Sequence, residues 1–232
     1  QELREAICEK FRRDNSLSFA PEQIVVSTGA KQSIANAVLS LVNPGDEVLV
    51  PAPYWVSYIE IIKLAQGKTV IVPAGLEQDF KISGAALKKH ITPRTRLMIF
   101  SSPCNPTGSV YGRDELKEIA QTLAACPDLY VISDEIYEHI NFIGKHESIA
   151  QFPEIRDRVI TINGVSKAFA MTGWRVGYLG AAREIATACD KMQGQFTSAT
   201  CSIAQKATHA AVQMDPKEII PMRDAFRKRR DL

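Results

Sequence analysis

Lys167 and Arg175 lie eight residues apart in the run Asn163-Gly164-Val165-Ser166-Lys167-Ala168-Phe169-Ala170-Met171-Thr172-Gly173-Trp174-Arg175-Val176-Gly177-Tyr178. A lysine amine at the exit of a strand, among small neighbours, can condense with an aldehyde to a Schiff base. An arginine close to it can clamp a phosphate with two parallel hydrogen bonds. The pair suits a ligand that carries both groups. Two residues do not define a site, so the remaining groups must come from the elements that position these two.

Seven short apolar, β-branched runs stand out: Ile24–Ser27, Glu47–Val50, Thr69–Val72, Arg96–Ser101, Leu129–Ser133, Val159–Asn163 and Val176–Gly180. Most lack strict alternation, which predicts strands buried on both faces. Helical patterns cover Glu2–Arg13, Lys31–Val42, Trp55–Ala65, Ser83–His90, Arg113–Ala125, Arg183–Gln195, Cys201–Gln213 and Pro216–Arg230. Strands alternating with helices predict a three-layer α/β/α sandwich around a mostly parallel seven-stranded sheet. No full helix joins the last two strands, which leaves room for one antiparallel member. No linker, internal repeat or low-complexity segment interrupts residues 1–232, so the reading is one domain.

Ligands of open α/β sheets sit at the carboxyl ends of the strands. After the first run come Thr28, Gly29, Ala30, Lys31 and Gln32. Small residues at a helix N-terminus leave backbone N–H groups open to a phosphate, although an ordinary tight turn reads the same way. After the second come Tyr54 and Trp55. Trp55 suits stacking on a flat heteroaromatic ring, and Tyr54 suits a hydrophobic anchor equally well. After the fourth comes Asn105 between Pro103 and Pro106, whose amide can donate to a ring oxygen. The Asn105–Pro106 bond is a candidate for the cis form. After the fifth come Asp134 and Tyr137. A carboxylate at a buried strand end needs a partner such as a pyridinium N–H, which keeps the ring an electron sink. A helix N-cap is the competing role for Asp134. After the sixth come Ser166 and Lys167, then Arg175. An aldehyde, a phosphate, a ring nitrogen, a ring oxygen and a flat face together describe pyridoxal phosphate.

Asn105-Pro106-Thr107-Gly108, Ser133-Asp134-Glu135-Ile136-Tyr137 and Ser166-Lys167 followed by Arg175-Val176-Gly177-Tyr178 resemble the class I/II aminotransferases of fold type I. Tyr54-Trp55-Val56-Ser57-Tyr58 and the run from Lys167 to Arg175 resemble the bacterial aspartate/prephenate subgroup. The resemblance implies the large cofactor-binding domain of that fold, pyridoxal 5'-phosphate as cofactor, and a homodimer. Lys167 is then the Schiff-base lysine that also moves the substrate proton. Asp134 pairs with the pyridine nitrogen, and Tyr137 and Asn105 bond the ring oxygen. Trp55 stacks on the ring, and Gly29, Ala30, Lys31, Ser166 and Arg175 hold the phosphate. Trp55, Asn105 and Lys31 are the implied substrate contacts, with Lys31 facing the distal carboxylate of a dicarboxylic substrate. Many relatives carry a serine three residues before this lysine, where this chain has Gly164.

The implied reaction is transamination of aspartate, or a similar dicarboxylic amino acid, with 2-oxoglutarate as the 2-oxo acid. The resemblance further implies an N-terminal arm before Gln1 and a small domain beyond Leu232. On that expectation these residues alone bind the cofactor weakly and do not transaminate. The same fold hosts C–S lyases, decarboxylases, synthases, aromatic aminotransferases and the sensor domains of transcription regulators. No Gly-x-Gly-x-x-Gly or Walker pattern supports a plain nucleotide-binding domain.

A net charge of +2 provides no field for nucleic acid or an anionic membrane, and neither is an expected partner. Five cysteines without a C-x-x-C pair fit a reducing, cytoplasmic compartment. His90, His139, His146 and His209 show no metal spacing, so no metal is expected. Glu135 reads as half of a structural ion pair.

Overall fold

Strands β1 (Ile24–Ser27), β2 (Glu47–Ala52), β3 (Lys68–Pro73), β4 (Thr95–Ser101), β5 (Tyr130–Asp134), β6 (Val159–Gly164) and β7 (Gly177–Gly180) form one sheet. Its order is β1-β7-β6-β5-β4-β2-β3 in the computed structural model, which describes residues 1–232. β7 runs antiparallel to both its neighbours, and the other pairs are parallel. The helices are α1 (Glu2–Asn15), α2 (Ala30–Leu41), α3 (Ser57–Leu64), α4 (Gly84–Lys88), α5 (Arg113–Ala124), α6 (Arg183–Phe196), α7 (Ser202–Gln213) and α8 (Ile220–Arg230).

The unbroken apolar runs are explained by two cores. Leu97 and Ile99 of β4 face Ile34, Ile62 and Ile185 of α2, α3 and α6. Met98 and Phe100, the residues between and after them, belong to the core of Phe11, Leu123 and Val212 from α1, α5 and α7. Alternate side chains of one strand thus enter opposite layers, and neither face is left for polar residues. The three-layer expectation holds, with β7 as its one antiparallel strand.

Helix boundaries differ from the sequence reading by a residue or two at several ends, and three of the differences have a visible cause. α3 starts at Ser57, because Trp55 lies in the preceding turn, where Tyr58 N donates to Trp55 O at 3.0 Å. α4 spans only Gly84–Lys88, with Ser83 as its cap accepting from Ala86 N at 3.1 Å. The last pattern splits into a 3-10 turn at Pro216–Ile219 and α8, because Pro221 lacks an N–H and begins a helix more readily than it continues one.

The single antiparallel strand matters for the site. Six strands deliver their carboxyl ends to one edge of the sheet. β7 delivers its amino end there, so Arg175, two residues before it, meets the loop after β1. The register places Gly177 opposite both Ser27 and Gly164.

Candidate functional site

The carboxyl edge holds a cavity of about 280 Å³ lined by Ala30, Lys31, Trp55, Asn105, Asp134, Tyr137, Ser166, Lys167 and Arg175. Nine of the ten residues singled out by sequence therefore converge. The tenth, Gly29, lies just behind them. Its φ of +88° caps α2, and a Cβ there would run into the Arg175 guanidinium. Glycine is required on both counts. The guanidinium thus rests directly on the α2 N-terminus, where open backbone N–H groups and the helix dipole also favour an anion. Its one protein acceptor is the Thr172 carbonyl at 3.0 Å, which leaves further N–H donors for a ligand.

Asp134 closes the floor. It ends β5 at the centre of the sheet and is 5% exposed. Tyr58 donates its hydroxyl to Asp134 Oδ2 at 2.8 Å, and Ile136 N donates to Oδ1 at 3.3 Å. Burial pushes the carboxyl up to about 6, against the Tyr58 and backbone donors and the nearby Lys167 charge, which draw it down. No α-helix follows Asp134, so it is not a helix N-cap. Residues 135–140 make successive tight turns, with Glu138 N donating to Glu135 O at 2.9 Å and Ile140 N to Tyr137 O at 2.8 Å.

Lys167 is half-buried, with its Nζ 5.6 Å from the centre of the Tyr137 ring. Lys167 is not the most buried lysine of the chain. The fully buried lysine is Lys10, whose ammonium is surrounded by Glu138 and Asn15. Lys167 opens onto the cavity, as an amine that must meet a ligand has to. Trp55 stands at the side wall, edge-on to Tyr58 at 5.6 Å between ring centres, with Lys31 Nζ 4.9 Å from its own ring centre. Tyr54 is absent from the cavity and packs against the α2/α3 core, the anchor role. The Asn105–Pro106 bond is cis.

Four lining residues went unassigned in the sequence: Tyr58, Ser101, Ile136 and Thr172. Tyr58 had a signal, because it lies three residues after Trp55 at a helix start, and i,i+3 residues share a face. Gly164 has a structural reason. A Cβ there would lie 2.9 Å from Gly177 Cα and 2.9 Å from the Val176 carbonyl oxygen, so a serine does not fit this backbone.

The histidines depart from expectation in one respect. His146 Nε2 lies 2.9 Å from Glu135 and His139 Nε2 lies 3.2 Å from Glu138, so two of the four meet carboxylates in space. Sequence spacing hid this, because the loop after β5 folds back on itself. Glu135 meets His146 at 2.9 Å, an ion pair whenever the imidazole is protonated.

The residues fit pyridoxal phosphate on two observations of this structure. The Gly29–Arg175 contact is a cradle that any side chain would fill. Asp134 is a buried acid that faces the cavity without a cation bonded to it. The arrangement can therefore hold a phosphate at Arg175 and the α2 N-terminus, bond a ring nitrogen at Asp134, and present the Lys167 amine to the same cavity.

Fold and site together define a three-layer α/β domain with its ligand pocket at the carboxyl edge of the sheet. The family described as aminotransferase class I and II matches residues 1–232, and the chain belongs to that family. It is 50% identical over 234 residues to the bifunctional aspartate aminotransferase and glutamate/aspartate-prephenate aminotransferase of Petunia hybrida, covering 99% of this chain and 49% of that protein. The crystal structure of the aspartate aminotransferase from Rhizobium meliloti superposes with a TM-score of 0.97 at 39% identity, over 99% of this chain and 58% of that one. An aromatic aminotransferase from Pyrococcus horikoshii gives 0.95 at 40% identity, over 99% and 62%. The chain spans about half the length of the curated relatives it matches.

Proposed function

We propose that the chain is the cofactor-binding domain of a pyridoxal-phosphate-dependent aminotransferase acting on aspartate, or a similar dicarboxylic amino acid, with 2-oxoglutarate. The observation that carries this reading is the joint placement of Lys167, Asp134 and Arg175 on one cavity. Bound there, the cofactor supplies an aldehyde for amine exchange and a ring that takes up electron density.

The chain's own groups divide the remaining work. Arg175, Ser166 and the N–H groups at Ala30 and Lys31 bind the phosphate. Asp134 holds a proton on the ring nitrogen, and Tyr58 keeps that carboxylate oriented. Trp55 covers a ring face and excludes water. Asn105 and Tyr137 bond the ring oxygen. Lys167 Nζ would hold the aldehyde before substrate arrives and, once freed, would take and return the proton at the substrate carbon. Lys31 lies beside Trp55, where a second substrate carboxylate would meet its ammonium.

A second copy of this chain is the proposed partner. Trp174 and Ile203 are 47% and 71% exposed, and both line a cleft that Arg175 also borders. All five cysteines are free, which supports a cytoplasmic setting. No helix is long and apolar enough to cross a membrane.

Borohydride reduction after incubation with pyridoxal phosphate, followed by peptide mass spectrometry, tests the assignment. The expected adduct is on Lys167. Reaction confined to exposed lysines such as Lys63 would sink it. The likeness to an aromatic aminotransferase favours a second specificity, so aspartate, phenylalanine and cystathionine are the discriminating substrates for the full-length enzyme.

A further inference from the structure

We propose that Lys10 and Asn15 of α1, through Glu138, and His146 and Ser148, through Glu135, are positioning residues for the turn that follows Asp134 and carries Tyr137. The inference rests on the functional reading of the cavity given above.

The turn divides its side chains between two sides. Asp134 and Tyr137 line the cavity. Glu135 and Glu138, one residue after each, are buried on the far side. Glu135 accepts from Ser133 Oγ at 2.8 Å and Ser148 Oγ at 2.6 Å, and lies 2.9 Å from His146 Nε2. Glu138 takes the Lys10 ammonium and the Asn15 amide, the latter at 2.6 Å. Lys10 Nζ also donates to Asn15 Oδ1 at 2.8 Å, closing a three-residue ring of hydrogen bonds. Lys10, Asn15, Glu135 and Ser148 are each 1% exposed.

So many buried charges are a poor route to stability alone, because desolvation offsets much of their attraction. What they give is fixed geometry. Asp134 is held by its strand ladder, but only two backbone hydrogen bonds hold residues 135–140 internally, too few to place the Tyr137 phenol ring to within a fraction of an ångström. Two carboxylates with directional, charge-assisted donors pin the same backbone from behind. Burial raises the Glu138 pKa, but Lys10 and then His139 overcome it and hold the carboxyl well below the usual range, so this anchor stays ionised. The structure thereby ties α1, in one outer layer, to the cavity at the sheet edge.

The test separates positioning from bulk stability. Lys10→Met alone leaves Glu138 buried without its cation and can fail to fold. The paired variant Lys10→Met/Glu138→Gln removes both charges at similar volume. It should melt at or above the temperature of the parent protein. Its Glu138 and Ile140 amides should nevertheless exchange with deuterium about tenfold faster, while β4 and β6 keep their protection. Its affinity for pyridoxal phosphate, read from the absorbance of the bound cofactor, should fall by about tenfold. Unchanged exchange in the turn of the paired variant overturns the proposal. So does acceleration spread evenly over α1 and β5. Failure of the parent protein to bind the cofactor would instead count against the functional reading, and the exchange comparison still decides the role of the anchors.

Discussion

At the scale of single residues, Asp134 sets a conflict between stability and chemistry. Its carboxyl titrates near 6 in the folded chain against an ordinary value of 3.8. The folded state therefore binds this proton more tightly than the unfolded state does. Between about pH 4 and 6 stability falls as pH rises, by roughly 3 kcal/mol in total for this group. Asp134→Asn removes that dependence. In the cofactor-free protein the variant should be more stable than the parent by up to about 3 kcal/mol at pH 7, with the advantage gone below about pH 4. Tyr58→Phe deletes a donor that lowers this pKa, so the upper end of the window should move above 6. Urea unfolding at a series of pH values reads both effects, and a parent–variant difference that stays flat across the window refutes the account. The strand-end residues were legible because each follows its strand within a few positions. Lys10 was not, and for Tyr58 the spacing from Trp55 hinted at its face but not at its partner, because Asp134 and Glu138 lie 76 and 128 residues from Tyr58 and Lys10. Sequence chemistry identifies which groups need a partner; only the assembled layers show which partner arrives.

At the scale of elements, the site depends on how closely β7 approaches α2. A Cβ on Gly177 would run into the backbone of Gly29 and Ala30, so this strand meets the helix N-terminus backbone to backbone. That contact keeps Arg175 over the open N–H groups. Gly177→Ala forces the two apart, an overpacking that costs about 1–3 kcal/mol. The expected drop in melting temperature is roughly 3–10 °C for a chain of this size, accompanied by weaker binding of pyridoxal phosphate. Gly194→Ala is the control: it lies inside α6 with nothing within 4 Å of an added Cβ, and helix propensity favours the change. Calorimetry on both variants decides the matter, and equal melting temperatures would show that the close approach is not under strain. The elements themselves were readable as runs buried on two faces alternating with amphipathic helices. Their order in the sheet was not, since β1 beside β7 and β4 beside β2 are pairings of distant segments that no local pattern encodes. The need for glycine at Gly164 and Gly177 was hidden for the same reason, because Gly164 is crowded by Val176 and Gly177 and Gly177 by the turn at Gly29 and Ala30.

At the scale of the whole molecule, the phosphate cradle and the exposed apolar surface share a residue. Arg175 borders both the cavity and a cleft of about 660 Å³ lined by Trp174, Ala199, Thr200, Cys201, Ile203 and Ala204. Large apolar side chains gathered at such a cleft suit a contact surface, and in the proposed dimer a second copy of the chain would meet it with the same patch. The net charge of +2 raises little repulsion between copies. A partner covering Trp174 and Ile203 would also border Arg175, so self-association would be linked to cofactor binding, and linkage is reciprocal. Sedimentation should show a dimer whose dissociation constant tightens on adding pyridoxal phosphate. Ile203→Asp places a charge in the patch without touching the cavity lining, and should shift the chain towards monomer. It should also weaken cofactor binding by the factor through which the cofactor strengthens the dimer. A variant that becomes monomeric yet binds the cofactor with unchanged affinity would separate the two surfaces and leave Arg175 serving the cavity alone.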